Sequence, residues 1–196
     1  MILISVPTFE NITPECFKAI YDLKGDGLIF DYVKGYDCAK ARNEIAKKAI
    51  SGGYEYVLMV DSDIILPKDA LINMLDSPVD VCFGVYPRTT GETELFKEGT
   101  LDFKNRYTFK EIENMGKFPV KGSGFGCALI RTEVFENIPY PWFEFLSYEN
   151  NTFLSEDLAF CMKASVRYQL IADARVRCGH IKKHVLYGDH YDKDDK

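Results

Sequence analysis

The sequence predicts an α/β fold, a doubly wound sheet flanked by helices, and three observations predict it. Short apolar runs alternate with longer helix-patterned segments through the first half of the chain. The run Val57-Leu58-Met59-Val60 is continuously apolar, as in a strand covered on both faces. At 196 residues and 46% hydrophobic content the chain buries one substantial core, so the expected division is a single domain over 1–186 and an acidic tail over 187–196.

The elements follow in order. Ile2 to Val6 is an apolar first strand that Pro7 ends, delivering Thr8 and Phe9 into a loop. A helix runs from about Asp37, a fitting N-cap, through an alanine-rich stretch to Ile50, where Ser51-Gly52-Gly53 stops it. Tyr54 to Val60 is the next strand, Lys68 to Leu75 a helix, and Val79 to Tyr86 a strand closed by Pro87. From Arg88 to Lys121 the periodicity weakens, which predicts a hairpin or long loop outside the core and suited to substrate contacts. Gly122-Ser123-Gly124-Phe125-Gly126 leads into a strand over Cys127 to Ile130 and a short helix near Thr132 to Asn137. Ser155 caps a helix reaching about Val166, and Tyr168 to Ala172 is a late strand. In such sheets ligands bind beyond the carboxyl ends of the strands.

Composition excludes several classes. A net charge of −6 gives no general attraction to nucleic acid or anionic membranes. No apolar run approaches the roughly 20 residues of a membrane-spanning helix. Met1 to Pro7 carries neither a basic leader nor a small-residue cleavage site, so a cytoplasmic protein is expected. The six cysteines lack paired spacing and suit reduced, buried thiols. The tail after Tyr187 has little to bury and is expected to be disordered.

Val60-Asp61-Ser62-Asp63 is the sharpest chemical feature. In an extended segment residues two apart point the same way, so Asp61 and Asp63 converge, and they stand at the end of the best-predicted buried strand. Such a pair holds Mg2+ or Mn2+ while leaving positions that diphosphate oxygens fill. His180, in Cys178-Gly179-His180 after the last strand, is a candidate third ligand that tilts the choice toward Mn2+. Glu156-Asp157 opens a helix, where the dipole alone favours acidic residues. A carboxylate fixed there also serves as a general base for an attacking hydroxyl. Arg42 and Asn43 lie on the second predicted element, and an arginine near a diphosphate pairs with it bidentately.

The order of these motifs resembles the GT-A glycosyltransferases, particularly the short family-two-like members of bacteria and phages. The matching pieces are Pro7-Thr8, Ala41-Arg42-Asn43, Val60-Asp61-Ser62-Asp63, Gly84-Val85-Tyr86-Pro87, Gly122 to Cys127, Pro141-Trp142-Phe143, Ser155-Glu156-Asp157 and Gly179-His180, spanning about residues 2 to 182. The resemblance implies a GT-A fold with a Rossmann-like mixed sheet. It also implies a metal ion on Asp61, Asp63 and His180 bridging a nucleotide diphosphate. Pro7, Thr8, Arg42, Asn43 and Ser62 are implied beside the donor, with Asp157 as the base and Glu156 its reserve. There is no Gln-x-x-Arg-Trp after the Glu-Asp helix, which speaks against a processive synthase, and Arg167 stands before Tyr168 where similar sequences often carry glycine.

The expected function is metal-dependent, inverting transfer of a hexose from a nucleotide-diphosphate donor, with a UDP-sugar favoured, to an acceptor hydroxyl. A nucleotidyltransferase is the runner-up, but Thr8-Phe9-Glu10-Asn11-Ile12 is not the glycine-rich basic loop it needs. The third reading is an inert nucleotide- or sugar-binding module. The acceptor stays open among a glycan, a lipid-linked sugar, a protein and a hydroxylated nucleic-acid base. Phe96, Phe103, Tyr107 and Trp142 are candidates to stack on a sugar or base, with about half expected in the core.

Overall fold

The computed structural model describes residues 1–88, 91–99, 105–147 and 153–182. Its elements are β1 (Ile2–Thr8), α1 (Pro14–Tyr21), β2 (Leu28–Lys34), α2 (Cys38–Ser51), β3 (Tyr56–Val60), β4 (Ile64–Ile65), α3 (Ala70–Met74) and β5 (Val81–Val85). The second half adds β6 (Lys117–Pro119), β7 (Cys127–Arg131), α4 (Glu133–Asn137), β8 (Leu146–Ser147), β9 (Phe153–Leu154), α5 (Glu156–Ala164), β10 (Leu170–Arg177) and β11 (Gly179–His180). The expected acidic tail over 187–196 and Phe103 fall outside the described residues.

Seven strands form one sheet in the order β2-β1-β3-β7-β5-β10-β6. β2, β1 and β3 pair in parallel, as do β5 and β10, while β7 runs antiparallel between β3 and β5 and β6 antiparallel at the edge. Two apolar clusters cover the two faces. On one, Leu3, Val57, Met59, Phe83 and Ala128 meet Ile45 of α2, Phe135 of α4 and Phe160 of α5. On the other, Ile4, Leu58, Val60, Cys82 and Leu129 meet Cys16 and Ile20 of α1 and Leu71 and Met74 of α3. The continuous apolar run of β3 is thus explained, because helices lie over both sides of it.

Local chemistry sets the boundaries. Asp37 caps α2 by accepting the Lys40 N–H at 2.9 Å, as the sequence predicts. Thr13 caps α1 and Pro14 begins it; neither this helix nor β2 is among the elements expected from the sequence. β2 escapes periodicity because it is an edge strand whose Ile29, Phe30 and Tyr32 remain exposed.

Three expectations need correction. Pro7 does not end β1, which continues to Thr8 beside β2; the β3 ladder stops at Ser5, so beyond it the strand is bordered on one side and tolerates a missing donor. The stretch from Arg88 to Lys121 is not outside the core, since Leu95, Phe96, Ile112, Phe118 and Val120 are buried. Ser155 precedes α5 in extended conformation but makes no cap bond, its hydroxyl turning instead to the Asp157 carboxylate. All six cysteines are free, five of them buried and Cys38 exposed. Burial pushes the Cys16 thiol up to about 12, which leaves it inert at neutral pH.

The loop before β7 is pressed onto Tyr86. The Gly126 N–H donates to the Tyr86 hydroxyl at 3.1 Å, and a Cβ at Gly126 would stand 2.7 Å from that buried ring. Gly126→Ala is therefore expected to destabilise the protein by about 1–3 kcal/mol, the usual cost of overpacking, read as a fall in melting temperature. An unchanged melting temperature would show that the ring has room to move.

Candidate active site

At the carboxyl end of β3 the chain turns sharply and exposes its two aspartates. The Asp61 N–H donates to the Gly126 carbonyl and the Ile64 N–H to the Asp61 carbonyl, each at 3.1 Å. The Ser62 carbonyl accepts the N–H and hydroxyl of Thr13 at 3.0 and 2.9 Å, which fastens the turn to the start of α1. Ser62 holds that turn through its backbone. Asp61 and Asp63 each keep more than a third of the side chain open to solvent, at 35% and 38%.

His180 reaches this turn although it lies 117 residues away from Asp63. β11 pairs antiparallel with β4, with His180 opposite Ile64, and the Ile181 N–H donates to the Asp63 carbonyl at 2.9 Å. The imidazole Nε2 stands 3.2 Å from Asp63 Oδ2, and Nδ1 lies 2.7 Å from the Pro87 carbonyl. A carbonyl accepts only, so Nδ1 carries the proton and, in the neutral ring, Nε2 presents its lone pair toward the carboxylate. The Lys182 ammonium lies 2.5 Å from Nε2 and acts as the cation of this pair. Tyr86 packs edge-on against the ring at 5.4 Å.

Arg42 ties the turn to α5. Its side chain is only 4% exposed, with one amino group on Asp61 Oδ1 at 2.8 Å and the other on Glu156 Oε1. Burial alone would lower the arginine pKa, but Asp61 and Glu156 more than offset this and hold it above its ordinary value. Burial pushes the Asp61 and Glu156 carboxyls up, and Arg42 opposes that in both. Glu156, the expected reserve base, is itself buried and anchors Arg42.

Asp157, one residue on, has a different environment. Its Oδ1 accepts the Ser155 hydroxyl and, at 2.7 Å, the Leu158 N–H. Among the described residues Oδ2 accepts no hydrogen bond; it faces Gly124, where a Cβ would come within 3.5 Å. A cleft of about 250 Å³ opens there, lined by Asp157, Ser155, Gly124, Phe153, Arg88 and Glu94. A larger cavity of about 410 Å³ lies beside Tyr54, Glu55 and Thr132, next to the amino end of β3 and away from the acidic cluster.

The remaining expected residues divide. Pro7 and Thr8 end β1 and are buried; the Thr8 hydroxyl donates to the Asn11 carbonyl at 2.7 Å and shapes the following loop. Asn43, expected beside the donor, is engaged by the backbone. Both its amide hydrogens go to backbone carbonyls, Ala39 at 2.9 Å and Phe143 at 2.7 Å, and its oxygen accepts the N–H groups of Trp142 and Phe143. Its hydrogen-bonding capacity is filled, which makes it a strut for the Trp142 segment. Phe96 and Trp142 are core residues, and Tyr107 packs against the core. Phe96 and Phe153 both line the cleft; Phe145 stacks on Phe153, and no periodicity marked that pair.

Among the described residues no three His, Cys, Asp or Glu side chains form a ready metal-binding group. Asp61 is engaged by Arg42, and Asp63 Oδ2 stands 3.2 Å from His180 Nε2. The donor set still fits a divalent ion: a carboxylate oxygen, a tautomerically fixed imidazole nitrogen and a second, partly open carboxylate at one turn, with a cationic group drawn to Nε2.

Comparison with known proteins bears on the fold and family. The crystal structure of A197 from STIV superposes with a TM-score of 0.69 at 14% identity, covering 93% of this chain and 86% of that one. A crystal structure of GalNAc-T7 with UDP, GalNAc and Mn2+ superposes with a TM-score of 0.62 at 12% identity, covering 93% of this chain but only 43% of that one. At these identities the likeness is one of fold, the GT-A fold. No curated protein sequence matches the chain. The profile described as Glycosyl transferase family 2 matches residues 12–139, a span holding Arg42, Asp61 and Asp63 and ending before Asp157 and His180. That span is well over half of the 196 residues, and with the sheet, the acidic turn and the cleft in place it identifies the chain as a glycosyltransferase that belongs to glycosyl transferase family 2.

Proposed function

We propose that this chain transfers a sugar from a nucleoside-diphosphate donor, a UDP-sugar, to an acceptor hydroxyl with inversion, Asp157 serving as general base. The observation that carries this reading is the convergence of two unlike acidic groups at one end of the sheet. Asp61 and Asp63 lie on the turn after β3 with His180 against them. Asp157 points a free carboxylate oxygen into the neighbouring cleft, near enough for its charge to act on Asp61.

Each residue has a distinct task. Asp63 and His180, with Asp61, would hold Mn2+ or Mg2+. When bound, the ion neutralises charge on the departing diphosphate. The Pro87 carbonyl keeps the His180 proton on Nδ1, so Nε2 is the ligating atom. Arg42 positions Asp61 relative to α5, and through the shared helix start it positions Asp157 as well. The acceptor oxygen bonds to the anomeric carbon while the bond from that carbon to the phosphate oxygen breaks. The bonding pair leaves with the nucleoside diphosphate, and the hydroxyl proton passes to Asp157 Oδ2.

A thermal-shift series with UDP, GDP, CDP and TDP, each with and without Mn2+, tests the donor half. UDP with Mn2+ at about 100 times its Kd is expected to stabilise the protein by about 2.7 kcal/mol, and Asp63→Ala to lose that gain. Equal stabilisation of wild type and Asp63→Ala, or none by any nucleotide, would remove the basis of the assignment.

A further inference from the structure

We propose that the acceptor is the terminal sugar ring of a neutral glycan, and that Phe153, backed by Phe145, is the platform on which that ring stacks while its hydroxyl meets Asp157. The inference rests on the glycosyltransferase reading of this site and names the substrate class which that reading leaves open.

The argument starts from two aromatic rings in an unfavourable place. Phe153 and Phe145 are 59% and 47% exposed, stacked with centroids 5.6 Å apart and planes 20° from parallel. The ladder of β8 with β9 sets Ser147 opposite Phe153, and Phe153 lines the cleft. A stacked pair held in solvent beside a carboxylate is a surface for a flat ligand with apolar faces.

The rest of the cleft restricts which ligand. Along its wall Glu94 is gripped by two guanidinium groups, Arg88 at 3.1 Å and Arg106. An aromatic rim over a wall that mixes charged groups with the apolar Phe96 and Leu158 matches a pyranose, which has C–H faces and a belt of hydroxyls. A lipid chain would need the whole wall apolar. A nucleic-acid acceptor would bring phosphates to a chain of net charge −6, and the two arginines of the cleft, Arg88 and Arg106, are both paired with Glu94. At about 250 Å³ the space lies below the roughly 300 Å³ at which pockets for drug-sized ligands begin, which suits one ring with the remainder of the glycan outside.

The test uses the full chain, with and without UDP and Mn2+. Methyl glycosides of glucose, galactose, mannose and N-acetylglucosamine, with α- and β-linked disaccharides, are screened by saturation-transfer NMR. An oligothymidylate, a polyprenyl phosphate and a serine-rich peptide complete the panel. At least one saccharide is expected to bind with saturation concentrated on the C–H protons of one ring face. Phe153→Ala is expected to weaken it about tenfold, Phe153→Trp to restore it, and both variants to keep the UDP-dependent thermal shift of wild type. Saccharide affinity unchanged in Phe153→Ala overturns the platform, and a screen in which no saccharide binds overturns the substrate class. A wild type that binds a saccharide but shows no nucleotide shift overturns the donor site and leaves the platform standing.

Discussion

Asp157→Asn is expected to keep UDP and Mn2+ binding at the wild-type level and to reduce sugar transfer by about 10²- to 10⁴-fold, the range for a positioned general base. Asparagine preserves the volume and can still accept the Leu158 N–H and the Ser155 hydroxyl through its oxygen. What it lacks is a second oxygen facing Gly124 that takes a proton. The measurement is kcat for transfer set against the nucleotide thermal shift of the same preparation. Transfer at the wild-type rate would exclude Asp157 as the base; loss of both readouts would show that the side chain holds the donor site together. Glu156→Gln gives the contrast, because Glu156 is buried against Arg42 and has no opening to the cleft, so its effect is expected in stability before rate.

Arg42→Met should have the largest effect on stability, about 3–5 kcal/mol, because removing one partner of a buried ion pair leaves the others uncompensated. For a chain of this size that is a fall of about 6–20 °C in melting temperature, by the usual 2–4 °C per kcal/mol. The pH dependence has a definite sign. The Glu156 carboxyl is held above its ordinary value by burial even with Arg42 present, and losing the guanidinium raises it further. The folded variant then binds a proton that the unfolded chain releases, so its deficit shrinks as pH falls from neutrality through that raised value. Thermal melts at pH 5 and pH 7.5 check this, and a deficit that grows on acidification would contradict it. Arg42→Lys is expected to lie between, since one ammonium cannot reproduce the fork that spans two carboxylates.

The parts of the molecule that were legible in the sequence are those where a local rule and the tertiary fold agree. Asp37 before an alanine-rich run gave the start of α2, and four consecutive apolar residues gave a strand covered on both faces. The placement of Asp61, Asp63 and His180 at one end of the sheet also followed, because strand ends deliver residues to a common edge. What escaped depends on long-range partners. Nothing near Asn43 in sequence announces that Trp142 and Phe143, about 100 residues on, will occupy all of its polar atoms. Arg42 reads as a ligand for phosphate until Glu156 closes on it from another helix. β7 reads like any buried strand, since a hydrophobic run carries no mark of direction, yet it runs against its neighbours. Phe153 follows a stretch without periodicity, and only the cavity beside it singles it out.

The two-residue ladder between β11 and β4 is what brings His180 to the turn after β3. The seven-stranded sheet is complete without it, since β11 belongs to a separate pairing held by Gly179 opposite Ile65 and His180 opposite Ile64. So short a ladder opens locally at far lower free energy than the sheet unfolds. On the proposed metal-binding role, the apparent affinity for a divalent ion would include the free energy of closing this ladder. Amide hydrogen exchange at Ile181, whose N–H is held by the Asp63 carbonyl, reports that closing directly.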